Sequence, residues 1–193
     1  MGQRWTKKAL GDLALEVRGE LGLCPNEPLD PYALAEEYGI SVYQVGDLVA
    51  DGCSAESIDF FTVYRPDRWS AALVPCGPGR FIVENSAHCS ERRRSNVAHE
   101  MAHLLLEHEF DGILFTDGGC RSDDVIVKAR EQEAADLSGE LLIPTTAAQS
   151  AAWNDMTNEA VAQRFEVSIE FARWRMNLSG ARKIVERARA KRR

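Results

Sequence analysis

Two histidines four residues apart, His99 and His103, bracket Glu100 in the pattern HExxH and require a helix around them. Positions i and i+4 share one helix face, so both imidazoles can reach a single metal ion only if this stretch is helical. The flanking residues agree. Ser90 predicts an N-cap, and Val97, Ala98, Met101, Leu104 and Leu105 give a buried side, so the helix is expected to run to about His108. From average residue frequencies the pattern arises by chance in well under ~1 in 100 chains of this size. All four histidines (His88, His99, His103 and His108) fall within residues 88–108. That clustering, in a chain so poor in histidine, marks a site.

A catalytic zinc site needs a third protein ligand and an open position for water. The next predicted helix, about 124–142, offers Glu131, Glu133, Asp136 and Glu140. Glu131 and Glu133 point about 200° apart on that helix, so periodicity leaves either free to face the histidines. Glu131 shares its stripe with Ala134, Ala135 and Ser138, whose small side chains permit close approach, and this favours it; Glu133 lies over Leu137 and Leu141. Glu100, beside the first histidine, is placed to take a proton from the attacking water.

The remaining chain reads as a mixed body followed by helices. Apolar spacing predicts a helix over 4–21, and Asp30-Pro31 with Gly39 brackets a short one. Residues 40–45, 58–64, 71–74 and 81–84 read as strands of a small antiparallel sheet, with 46–57 as loop. Beyond residue 156, Thr157 and Ser168 predict caps for two helices, and 181–191 for a third. The expected fold is α+β: residues 1–146 as the metal-binding body, residues 147–193 as an all-helical part resembling a helix-turn-helix. A boundary is expected near 144–156.

Charge narrows the partners. The net charge is −7, yet the last twelve residues carry seven Lys/Arg and one Glu, leaving −13 on the rest. An acidic body argues against a general nucleic-acid binder. Arg173 and Arg175 could serve DNA contact from the second helix of the helix-turn-helix, but a helical part that positions substrate or closes the body is the favoured reading. No apolar run approaches the ~18–20 residues of a membrane span, and no signal-peptide core is present, so a cytoplasmic protein is expected. Cys24, Cys53, Cys76, Cys89 and Cys120 form no CxxC pair and are read as reduced, mostly buried thiols. The Gly/Asp-rich segment 111–124 is read as a loop able to gate the cleft. Its Asp117, Asp123 and Asp124 lack the spacing of a calcium loop.

Four segments resemble the ImmA/IrrE family of HExxH metallo-endopeptidases: Phe81-Ile-Val-Glu-Asn-Ser86, Arg92-Arg-Arg94, Ala98-His-Glu-Met-Ala-His103 with the three leucines after it, and Glu131-Gln-Glu-Ala-Ala-Asp-Leu-Ser-Gly-Glu-Leu-Leu-Ile-Pro144. The last is similar to that family's ExEAN-x-FAAxLLMP helix. The resemblance spans about residues 10–180. It implies a gluzincin-like body with one catalytic Zn²⁺ held by His99, His103 and Glu131, and Glu100 as general base. It further implies cleavage of a protein partner, commonly a helix-turn-helix repressor encoded nearby. A catalytically weak or inactive relative acting by DNA or protein binding is the alternative. Ala135 stands where the family has Asn, and Leu137-Ser138 replaces its Phe-Ala. The oxyanion donor is not named by any motif. His88, Asn85, Arg94 and His108 are the candidates, with His88 equally readable as a plain loop residue and His108 as a cation on the helix C-terminal dipole.

Overall fold

A computed structural model describes residues 5–108 and 125–192. Segment 111–124, with Cys120 and the three aspartates, lies outside the described residues. Contacts divide the chain into two compact units, Asp30–Ala134 and Met1–Leu29 with Ala135–Arg193.

Within Asp30–Ala134, α2 (Pro31–Glu37) starts as expected, with the Asp30 side chain accepting from Tyr32 N–H at 3.1 Å and proline in the first turn. Strands β1 (Ser41–Gln44), β2 (Ala71–Cys76) and β3 (Gly79–Glu84) form one sheet in the order β1-β3-β2. The β2–β3 hairpin is antiparallel, from Ala71↔Glu84 to Cys76↔Gly79. The expected all-antiparallel sheet is corrected at β1, which pairs parallel to β3 from Ser41↔Phe81 to Gln44↔Glu84. The long stretch 45–70 allows this, because a parallel neighbour needs a crossover of a dozen residues or more.

That crossover also corrects the strand expected over 58–64. It folds as α3 (Ala55–Asp59) and a π-helical turn, Phe60–Tyr64. Ser54 caps α3 by accepting from Ser57 N–H at 3.2 Å. Ile58 and Phe61, three apart, then pack inward while Phe60, Val63 and Tyr64 stay exposed, a helical rather than an alternating pattern. They join Val45, Trp69, Ala72 and Val83 in a core on one sheet face, with Leu48, Val74 and Phe81 packed against it. Strand alternation sends Leu73, Ile82 and Glu84 to the opposite face. Helix α4 (Ser90–Leu105) packs against β2, β3 and α2. α5 (Val125–Leu142) follows in the described chain and contributes residues 125–134 to this unit.

In the other unit, α1 (Lys7–Glu20) is capped by Thr6, α7 (Asn158–Phe165) by Thr157 and α8 (Ile169–Leu178) by Ser168, each side chain accepting from the backbone three residues on. α9 (Ala181–Ala190) packs on α6 (Thr145–Trp153). The stretch 144–156 carried no helix expectation, yet α6 buries Ala147, Ala148, Ala151 and Ala152 along one side. Arg175, a residue on which a DNA-contacting reading would have drawn, is buried. It pairs with Glu140 at 2.5 Å and donates to Ile143 O and Thr145 Oγ1, because the Glu140 carboxylate inside this unit needs a cation. Of the cysteines, Cys24, Cys53, Cys76 and Cys89 are free and exposed rather than buried. Cys24 and Cys53 lie in connecting segments, Cys76 ends β2 and Cys89 precedes the first turn of α4. No helix among the described residues is long and apolar enough to cross a membrane.

Candidate metal centre

Helix α4 is pinned before it reaches the histidines. Its N-cap is Cys89, and Ser90 is already helical, donating its hydroxyl to Glu91 at 3.1 Å. The arginine run ties the first turns to the body. Arg93 pairs with Glu84, a buried carboxylate that also accepts from Tyr32 Oη at 2.8 Å. Arg92 reaches Asp67 at 3.4 Å and Ser70 Oγ at 3.1 Å, and Arg94 reaches Asp30 at 3.3 Å. Ion pairs at successive positions thus set the rotation of α4 on the sheet. Val97, Ala98, Met101 and Ala102 are then buried, and His99 and His103 share the remaining side.

The structure brings His99, His103 and Glu131 together. His99 Nε2 lies 3.1 Å from His103 Nε2, and the Glu131 oxygens lie 3.2 Å from the first and 3.3 Å from the second. The chemistry of these donors can be tested against a metal. Zinc bonds of 2.0–2.1 Å hold two ligands of a tetrahedron about 3.3–3.4 Å apart, close to the His99–His103 separation and to the contacts of His99 with Glu131 Oε2 and of His103 with Glu131 Oε1. Two nitrogens and a carboxylate form the His₂Glu set, which suits zinc. Charge also fits. His103 is fully buried, and burial pushes its pKa down to about 4, so the imidazole is neutral at neutral pH, the form that binds metal. Burial alone would raise the Glu131 pKa, but the His103 and His99 imidazoles against its oxygens outweigh it and hold the carboxyl well below its ordinary range.

Glu100 is fully buried, and its Oε2 accepts from Leu73 N–H on β2 at 3.0 Å. A backbone donor on the sheet thereby orients the carboxylate next to His99.

The four oxyanion candidates are placed differently. Asn85 is fully buried. Its Nδ2 faces the carbonyls of Phe61, Pro66 and Trp69 at 2.8, 3.1 and 2.9 Å, and its Oδ1 accepts from Ala87 N–H at 3.0 Å. His88 Nε2 lies 3.0 Å from Pro66 O. Both side chains are engaged in holding segment 61–69, and Arg94 is engaged with Asp30. His108 sits behind His103, with the two Nδ1 atoms 2.9 Å apart. It is buried, and burial lowers its pKa, so it is not the exposed cation that a helix end suggested. Glu133, the less favoured ligand candidate, reaches His108 Nε2 at 3.4 Å. Spacing could not reveal that link, because Glu107 turns the chain through φ 52 immediately before His108.

A family model described as the IrrE N-terminal-like domain, a peptidase family, matches residues 56–177. The chain belongs to this family. The matched span contains the whole His99–His103–Glu131 cluster, the Arg92–Arg94 anchor, helix α7 and all of α8 but its last residue. Membership makes the chain a peptidase-type protein, and the cluster gives this IrrE-like domain a candidate metal site. No curated protein matches the chain significantly.

Proposed function

We propose that the chain is a zinc-dependent endopeptidase that cleaves a protein partner, with His99, His103 and Glu131 as metal ligands and Glu100 as general base. The observation that carries this reading is the convergence of His99, His103 and Glu131, one donor atom of each lying within 4.8 Å of the others. When bound, zinc would polarise the scissile carbonyl and acidify a water molecule. Glu100 accepts the proton from the attacking water and passes it to the leaving amine nitrogen. Its anchorage on Leu73 N–H fixes the carboxylate plane for both transfers. The burial of His103 keeps its imidazole neutral for ligation.

The partner is proposed as a helix-turn-helix repressor encoded nearby, met in the cytoplasm. α7 and α8 are read as a substrate-positioning element, a use that fits the burial of Arg175 better than DNA contact does. Co-expression with the neighbouring repressor tests the activity. Wild type should cleave it, and Glu100→Gln should leave it intact while keeping one zinc. Equal survival of the repressor with both proteins, each zinc-loaded, refutes the protease reading and favours a non-catalytic, partner-binding role.

A further inference from the structure

The side of His103 turned away from Glu131 is occupied. His103 Nδ1 lies 2.9 Å from His108 Nδ1, and His108 Nε2 lies 3.4 Å from Glu133 Oε2. The His103 and His108 side chains are 0% and 5% exposed, and that of Glu133 is 15% exposed. The chain reaches this arrangement because Glu107 adopts φ 52 after α4, and His108 N–H then donates back to His103 O at 3.1 Å.

A neutral imidazole has one N–H and one lone pair. Two ring nitrogens 2.9 Å apart must therefore share one proton, since two N–H groups would collide and two lone pairs would repel. A carboxylate only accepts. Glu133 favours the His108 proton on Nε2, which leaves a lone pair on His108 Nδ1. The shared proton then belongs to His103 Nδ1. His103 Nε2 keeps its lone pair, which accepts from His99 Nε2–H at 3.1 Å; that N–H also reaches Glu131 Oε2 at 3.2 Å, so the Glu131 carboxylate has a donor without a proton on His103 Nε2. In the opposite arrangement a lone pair on His108 Nε2 would face the Glu133 carboxylate in a largely buried place.

We propose that His108 and Glu133 are positioning residues that hold His103 as its Nδ1–H tautomer and so present Nε2 to the metal. The inference rests on reading the cluster as a metal site. Partners behind a ligating histidine typically change metal affinity by about 10–100-fold when removed.

Two measurements test it. In the metal-free protein, long-range proton–nitrogen NMR should find the His103 proton on Nδ1. Zinc affinity, measured by competition with a chromophoric chelator, should fall about 10–100-fold in His108→Leu. His108→Asn places an acceptor near the lost Nδ1 and should recover most of that loss. Glu133→Gln weakens the bias and should fall between. A wild-type His103 protonated on Nε2 overturns the proposal. So does equal weakening by His108→Leu and His108→Asn, the outcome of a packing role. Should His108→Leu fail to fold, the wild-type spectrum and Glu133→Gln decide, and unchanged affinity in the latter counts against the relay. The NMR experiment needs no zinc. A wild type that binds no zinc therefore refutes the metal reading separately.

Discussion

Asn85→Ala should cost the protein stability, not substrate affinity. The side chain is fully buried and has two amide hydrogens spread over the three carbonyls of Phe61, Pro66 and Trp69, while its oxygen accepts from Ala87 N–H. Truncation removes about three full hydrogen bonds, at roughly 1–1.5 kcal/mol each when the partners stay buried, so the expected loss is about 3–4 kcal/mol. That is a large share of the 5–15 kcal/mol typical of a folded domain. Asn85→Asp keeps the shape and removes the donors, setting a carboxylate among three carbonyl oxygens, and should cost at least as much. Urea unfolding in chelator, followed by circular dichroism and tryptophan fluorescence (Trp69 lies in the affected segment), measures both. If both variants unfold within 1 kcal/mol of wild type and instead raise KM for a cleaved substrate, Asn85 is a substrate contact and the reasoning is wrong.

Acid should weaken the metal-free protein. The pKa of His103 is about 4 when folded against about 6.5 unfolded, so the unfolded chain binds the extra proton and stability present above pH 6.5 is lost as pH falls toward 4. Linkage gives a loss of about 2 kcal/mol between pH 7.5 and 5.0, with His108 acting in the same direction; flat urea midpoints across that range would contradict it. Metal analysis of purified variants should find Glu131→Ala depleted of zinc and Glu133→Ala still stoichiometric, and the reverse result would exchange their roles. Arg175→Met should destabilise by about 3–5 kcal/mol because it leaves Glu140 buried without its cation. Adding Glu140→Met should recover part of that loss in a double-mutant cycle, and strict additivity would show that the pair is not coupled.

Much of the site was legible beforehand. The i, i+4 spacing of His99 and His103 and the apolar residues around them specify a helix with both imidazoles on one side. Asp30, Thr157 and Ser168 announced their helices because a cap is a contact across two or three residues. The run Ile58–Tyr64 misled because β-branched and aromatic residues suit a strand as readily as a turn packed on a core. The alanine-rich α6 escaped because small side chains carry almost no periodic signal.

What the sequence determined by itself is the helix, the pair of histidines and the place of Glu100 beside the first of them, all set by spacing within a few residues. The sequence favoured Glu131 over Glu133 through its stripe of small residues, but the placing of its carboxylate against the two histidines came from the packing of α5 within the unit that holds α4. The parallel pairing of β1, the burial of Arg175 and the contact between His103 and His108 were likewise decided by tertiary structure. Each depends on groups whose separation is set by how the chain turns back on itself, which no local periodicity encodes.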